Sequence, residues 1–299
     1  MYHNPVMLEE CMEGLRINPD GLYVDVTFGG GGHSRRILES LCGGHLYAFD
    51  QDADAAKNAF DDPRFTFIPQ NFRYMKNFVQ LHAHSKVDGI IADLGVSSHQ
   101  FDTPEKGFST RFEGRLDMRM NRNAPVDAAG VVNTYETGSL AGVFSRYGEL
   151  KNAMALARDI EMARSLRPLE TTTDLKDAVA AHLPKGNENK TLAQIFQALR
   201  IEVNKELEVL EAFLTQCADV LKPGGRLVVM SYHSLEDRLV KNFMRSGNAS
   251  GEVEKDFFGN QLTPYILITH KPIVPTDVEV AVNSRARSAK LRVAERRPE

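Results

Sequence analysis

The chain has 299 residues, 42% of them hydrophobic, and a formal net charge of −4 at neutral pH. That apolar content suffices for one large core or two, and the acidic balance excludes a wholesale basic nucleic-acid coat, so any surface for a polyanion must be a local patch. The three cysteines, Cys11, Cys42 and Cys217, are odd in number and far apart, which excludes a full disulfide framework and any CxxC zinc site and fits a reducing cytoplasm.

In chain order, His3 to Glu10 leads into a short amphipathic helix ending near Leu15, and Asn18-Pro-Asp-Gly21 turns into the first strand, Leu22 to Thr27. Four consecutive glycines, Gly29 to Gly32, follow, and then a helix from His33 to Leu41. His45 to Phe49 reads as a second strand ending in Asp50. Asp52 to Phe60 is expected to be a helix with acids in its first turn, stopped by Asp61-Asp-Pro63. Arg64 to Ile68 is a third strand, Asn71-Phe72 opens the next helix, and Lys86 to Asp93 is a fourth strand. Strands alternating with helices predict an α/β fold with a parallel, doubly wound sheet, whose ligands sit at the carboxyl ends of the strands. Gly29 to Gly32, Asp50, Phe72 and Asp93 all fall on that edge. No segment is long and apolar enough to span a membrane, and the N-terminus lacks a signal-peptide pattern.

The alternation then breaks. From about Asp102 to Asn189 the pattern is helical, with helices expected over Glu149 to Ser165 and Thr173 to His182 and an N-cap at Thr173-Asp174. Residues 103–189 are therefore expected to form an inserted helical domain, and 1–102 with 190–299 the sheet domain. A single long helix is predicted from Thr191 to Leu221, with Leu192, Ile195, Leu199, Val203, Leu207, Leu210 and Leu214 at 3–4 spacing. Lys222-Pro-Gly-Gly225 turns into a strand over Arg226 to Ser231, and Tyr232 starts another helix. Gly247 to Asn260 reads as loop, and Pro264 to His270 and Lys290 to Ala294 as the last strands.

Glycine lets a ligand approach the backbone closely and permits tight turns of positive φ. Asp50 lies 21 positions after Gly29, the spacing that puts a carboxylate at the neighbouring strand tip, where it can grip a ribose diol. The two features together point to a nucleoside cofactor. The dinucleotide fingerprint G-x-G-x-x-G is not met, because Gly29 and Gly31 are followed by Ser34. A glycine loop with acids on the second and fourth strands, and a Lys-Pro-Gly-Gly turn before the fifth, is similar to S-adenosylmethionine methyltransferases. In that reading the glycine loop takes the methionyl end and Asp50 the ribose.

Thr27-Phe-Gly-Gly-Gly-Gly-His-Ser34, Asp93-Leu-Gly-Val-Ser-Ser98, Leu116-Asp-Met-Arg-Met120, Phe196-Gln-Ala-Leu-Arg200, Ser231-Tyr-His-Ser-Leu-Glu-Asp-Arg238 and Ser284-Arg-Ala-Arg-Ser288 appear in that order. This closely resembles the RsmH/MraW family of ribosomal small-subunit RNA (cytosine-N4)-methyltransferases, nearly end to end. The resemblance implies a Rossmann-like S-adenosylmethionine-dependent methyltransferase sheet carrying the inserted domain. It implies methyl transfer to the exocyclic N4 of a cytidine in 16S ribosomal RNA, in an assembled or assembling small subunit, with no membrane partner. Cofactor contacts are implied at Gly31, Gly32, His33, Asp50, Phe72, Asp93 and Gln100. The sequence departs from the family pattern at His99, where proline is usual, and at Leu150-Lys-Asn after Tyr147-Gly-Glu149.

RNA phosphate contacts are expected at Arg115 and Arg119, at Arg200 on a polar stripe with Gln197 and Asn204, and at Arg285 and Arg287 in a tail of six Lys/Arg against two Glu. Asp93 is expected to act in the chemistry by orienting N4, and the cysteines, outside the strand-end motifs, disfavour a ring-attacking thiolate. Asp25 and Asp88 read as ordinary strand or turn acids. His82, His84 and His182 read as surface residues without ligand spacing, so no metal is expected. The alternatives are a DNA amino-methyltransferase, disfavoured because Asp93-Leu-Gly-Val replaces its Pro-Pro loop, a non-catalytic S-adenosylmethionine-binding assembly factor, and, more distantly, a nicotinamide dehydrogenase.

Overall fold

The computed structural model describes residues 5–298, which divide into two compact units. The sheet unit takes the chain up to Gly95 and from Leu207 onward, and the helical unit runs from Val96 to Glu206. The strands are β1 (Leu22–Asp25), β2 (His45–Phe49), β3 (Phe65–Ile68), β4 (Val87–Asp93), β5 (Leu221–Ser231), β6 (Tyr265–Leu267) and β7 (Lys290–Arg296). They form one sheet in the order β3-β2-β1-β4-β5-β7-β6. The first five are mutually parallel, and β7 runs antiparallel between β5 and β6. This is the Rossmann-like methyltransferase arrangement expected from the sequence. The strand order reverses between β1 and β4, which opens a crevice at their carboxyl ends.

Three helices belong to the first half of the sheet unit: α1 (Leu8–Leu15), α2 (Gly32–Ser40) and α3 (Met75–Ala83). The buried strands carry apolar residues toward both faces, as a covered parallel sheet requires. Tyr23, Ile91, Val228 and Met230 pack with Cys11, Leu15 and Ile37 on one face, and Val24, Ile90 and Val229 pack with Met75 and Val79 on the other. The helix expected over Asp52 to Phe60 shrinks to a 3-10 turn at Ala55–Asn58. There, Asp50 and Asp52 accept hydrogen bonds from the backbone N–H two residues on, a local turn that competes with helix.

The helical unit contains α4 (Ser98–Asp102), α5 (Ala128–Thr134), α6 (Thr137–Gly148), α7 (Ala153–Leu166), α8 (Thr172–Val179) and α9 (Glu188–Asn204). Its core joins Leu116, Met118, Val131, Phe144, Leu156, Ile160, Ile195 and Leu199. The expected helix start at Glu149 is instead the end of α6, where Glu149 takes a left-handed φ of 52°. The cap of α8 is Thr171, in a capping box with Asp174, rather than Thr173.

The chain returns to the sheet through α10 (Glu206–Val220), α11 (Ser234–Ser246) and α12 (Asp277–Val282). The single helix expected from Thr191 to Leu221 is thus two. Lys205, at φ 52°, ends α9, and its N–H returns to the carbonyls of Ile201 and Glu202. Ile195, Leu199 and Val203 enter the helical unit's core, whereas Leu210, Phe213 and Leu214 enter that of the sheet unit. That is also why the second boundary between the units falls at 206/207 rather than at 189/190, and the first falls at 95/96. The Lys222-Pro-Gly-Gly225 turn bulges out of β5, so that Leu221 pairs with Val87 and the next pair is Arg226 with Gly89.

Candidate active site

The crevice is built from the ends of four strands. Beyond β1 the chain turns through Gly29 (φ 50°) and Gly31 (φ 76°), conformations that favour glycine, and Gly31 is the N-cap of α2. A Cβ on Gly32 would stand 2.3 Å from the Pro5 ring, so the turn is also packed too closely for a side chain. No side chain caps α2, which leaves first-turn N–H groups pointing out of the helix, the feature that favours an anionic group.

Asp50, just beyond β2, accepts the Gly29 N–H at 2.8 Å with one carboxylate oxygen and the Asp52 N–H at 2.8 Å with the other. It therefore fixes the glycine turn as well as facing the crevice. Burial, opposed by these two bonds, raises its pKa to about 6. Asp93 ends β4. Its N–H donates to the Thr27 hydroxyl at 2.7 Å, tying the β1 and β4 ends together. Its Oδ1 accepts the Tyr232 hydroxyl at 2.7 Å, and its Oδ2 lies 3.9 Å from Nδ1 of His33. Burial raises Asp93 to about 6 as well, while His33 and Tyr232 pull it down and Asp25 and Glu236 push it up.

His33 is 7% exposed, and its Nε2 meets the Val6 carbonyl at 3.1 Å. A carbonyl can only accept, so Nε2 carries the hydrogen and Nδ1 is turned toward Asp93. Asp25, read from the sequence as an ordinary acid, is 2% exposed and supports the site. It accepts the Ser34 hydroxyl at 2.7 Å and the Thr27 N–H at 2.9 Å, and burial raises its pKa despite them. Three carboxyl groups at one edge, each held above its usual range, favour a ligand that carries positive charge and hydroxyl donors. A pyrophosphate would meet like charge there.

The sheet unit thus brings together Gly31, Gly32, His33, Asp50 and Asp93. Phe72 follows β3 in a 3-10 turn, half-buried, with its ring edge-on to Phe213 at 5.4 Å. Gln100 belongs to the helical unit. Its side chain accepts the Ser97 N–H at 3.1 Å in a capping box at the start of α4, and His99 occupies an exposed first-turn position beside it.

Cys11, outside the strand-end motifs, is fully buried on α1, and Asp93 and Asp25 are among the charges that act on it. Burial first, and those acids next, push its thiol well up, so it stays protonated and unreactive. The strand expected over Lys290 to Ala294 is β7, which lies inside the sheet and carries the basic tail with it. Lys290 and Arg292 both reach Asp237, and Arg296 and Arg297 donate to backbone carbonyls.

The expected RNA-facing arginines separate by partner. Arg119 grips both oxygens of Asp117 and donates to the Ala124 carbonyl, and Arg200 grips both oxygens of Glu206. These fork-shaped pairs, largely shielded from water, hold the helical unit together. The stripe's other members also serve backbone: Gln197 donates to the Tyr147 carbonyl, and Asn204 bonds the backbone of both Met118 and Met120. Arg115, with a side chain 65% exposed beside Asp127, and the exposed Arg287 remain available at the surface, and Arg285 is half-buried. Tyr232 and Asp25 are the site residues that sequence reasoning missed. Tyr232 stood inside the Ser231 to Arg238 motif, one residue beyond β5, and the signal for Asp25 was its position at the last residue of β1.

Comparison with known proteins shows the family. The chain is 58% identical over 296 residues to "Ribosomal RNA small subunit methyltransferase H" of Flavobacterium johnsoniae, covering 99% of this chain and 98% of that one. It is 55% identical over 297 residues to the protein of the same name from Bacteroides fragilis, covering 99% and 98%. The Parabacteroides distasonis protein of that name is 57% identical over 297 residues, covering 99% and 97%. The MraW methylase family matches residues 1–297, and the chain belongs to that family.

Proposed function

We propose that the protein transfers a methyl group from S-adenosylmethionine to the exocyclic N4 of a cytidine in 16S ribosomal RNA of the small subunit. The observation that carries the cofactor is the placement of Asp50, Asp25 and Asp93 at the ends of the adjacent strands β2, β1 and β4 around an all-glycine turn, with Asp50 accepting the Gly29 N–H. The residues fit it. Asp50 suits the ribose hydroxyls, the uncapped start of α2 suits the methionyl carboxylate, and the acids suit the ammonium and sulfonium charges. The small-subunit ribosomal RNA substrate is supported by the names of the relatives, the N4 position by the resemblance of the motifs, and a cytoplasmic location fits ribosomal RNA methylation.

Bound S-adenosylmethionine supplies an electrophilic methyl on its sulfonium. The protein's task is to make N4 available, because its lone pair is delocalised into the cytosine ring. Asp93 accepts hydrogen bonds from the N4 amino group, orients it for in-line attack, and is the nearby acceptor for the proton N4 loses. The Tyr232 hydroxyl holds Asp93 in one rotamer, and Nδ1 of His33 stands 3.9 Å from its other oxygen. The base must be single-stranded or flipped out to reach this pocket. Asp93→Asn tests the assignment in single turnovers at saturating S-adenosylmethionine. A large loss of rate is expected, and a loss of cofactor affinity alone would reduce Asp93 to a ligand. In the helical unit and the tail, Arg115, Arg285 and Arg287 are the candidates for phosphate contact.

A further inference from the structure

Between α11 and β6 the chain forms a small hairpin with no place in the site described. Lys255 bridges Gln261 in antiparallel fashion, and Leu262 N–H donates to the Glu254 carbonyl at 2.8 Å. Asp256 organises the tip. Its Oδ1 accepts the Phe258 and Asn260 N–H groups at 2.9 and 2.8 Å, its Oδ2 accepts the Asn260 side-chain amide at 2.8 Å, and its carbonyl accepts the Gly259 N–H at 3.0 Å. Gly259 takes the left-handed conformation that closes the turn, at φ 86°. Everything that shapes this tip comes from Asp256, Gly259, Asn260 and the backbone. Nothing in it requires an aromatic residue at positions 257 or 258.

Yet those positions are Phe257 and Phe258, 98% and 87% exposed, with rings edge-on at 5.7 Å. Leu262, 56% exposed, adds a third apolar side chain at the base. Two phenylalanines held in water by a hydrogen-bonded turn leave an apolar surface without a partner. The charge around them narrows what that partner is. Residues 252–262 carry Glu252, Glu254 and Asp256 against Lys255 alone. Aromatic platforms that stack nucleic-acid bases sit in basic grooves, and an anionic arm is repelled by phosphates and by anionic lipid. A basic protein surface with an apolar pocket satisfies both features, with the phenyl rings as anchors and the acids as the charged rim.

We propose that this hairpin docks the enzyme onto a basic protein of the small-subunit particle, through Phe257 and Phe258. The proposal rests on the small-subunit reading of the substrate. The test compares wild type with Phe257→Ser/Phe258→Ser for binding to intact small subunits and to protein-free 16S RNA. S-adenosylmethionine binding serves as the folding control. Loss of two anchors is expected to weaken subunit binding about tenfold or more and to leave RNA binding unchanged. A photo-crosslinking benzoylphenylalanine at position 257 is expected to join the enzyme to a subunit protein. Equal losses on both substrates, no loss on either, or a crosslink to RNA would overturn the proposal. Methylation of subunits by the wild type, assayed in parallel, tests the substrate reading by itself: product with undiminished variant binding removes the hairpin proposal alone.

Discussion

Replacing Asp50 by asparagine separates its two tasks. In the folded protein its carboxyl stands at about 6 rather than 3.8, so ionising it at neutral pH costs at most about 3 kcal/mol of stability, with partial exposure to water reducing that figure. Asparagine removes this cost, keeps one acceptor for the backbone and loses the other, a penalty of about 1–3 kcal/mol. The two terms nearly cancel, and the melting temperature of the unliganded protein is expected to move by only a few degrees. Cofactor binding has no such compensation. Loss of charge-assisted bonds to the ribose hydroxyls is expected to cost about 1.5–3 kcal/mol, roughly 10- to 150-fold in affinity. The pH dependence carries a second signature. Ionised Asp50 and Asp93 favour the cationic cofactor, so wild-type affinity should fall as pH drops below about 6, and the variant should lose part of that fall. For the unliganded protein the sign is opposite. Both folded pKa values are raised, so the stabilising contribution of these groups is complete below about pH 4 and is lost as pH rises through 6. Titration calorimetry across pH 5–8 with parallel thermal melts measures all of this. Unchanged affinity in a folded variant, or affinity and stability lost together, would refute the reasoning.

Tyr232→Phe removes the hydroxyl that lowers the Asp93 pKa, so the acid limb of the single-turnover pH–rate profile should move up by about one unit, the worth of one hydrogen bond. An unmoved profile with a lower plateau would mean Tyr232 only packs. Iodoacetamide should label native protein at the exposed Cys42 and spare the buried Cys11 and Cys217, and mass spectrometry of the folded chain decides it. Arg119→Ala should lower stability by about 1.5–3 kcal/mol and leave the salt dependence of RNA binding intact. Arg115→Ala and Arg287→Ala should each flatten the log–log salt slope by about 0.7–0.9 without changing the melt, and the reverse pattern would exchange their roles.

The strand ends were legible in the sequence because a parallel sheet puts chemistry where apolar runs stop. Asp50 and Asp93 each follow such a run, and a glycine turn follows β1. Asp25 was read as an ordinary acid because Val26 continues the apolar run beyond it, while its burial against Ser34 and Thr27 shows only in the fold. The break at Lys205 was invisible to periodicity. A single left-handed residue leaves the 3–4 spacing of apolar positions unbroken while sending the two halves into different cores. Arginine roles were the least legible. Arg119 and Arg287 look alike in sequence, and only the partners separate them: a carboxylate two residues away in one case, an exposed side chain in the other.

The central claim is the transfer of a methyl group to cytidine N4. Small subunits from a strain lacking the enzyme should be incubated with the protein and S-adenosylmethionine labelled in the methyl group, and their RNA digested to nucleosides. The label is expected in N4-methylcytidine within 16S RNA and to vanish with Asp93→Asn. Label in C5-methylcytidine, in another nucleoside, or in no RNA product would contradict it.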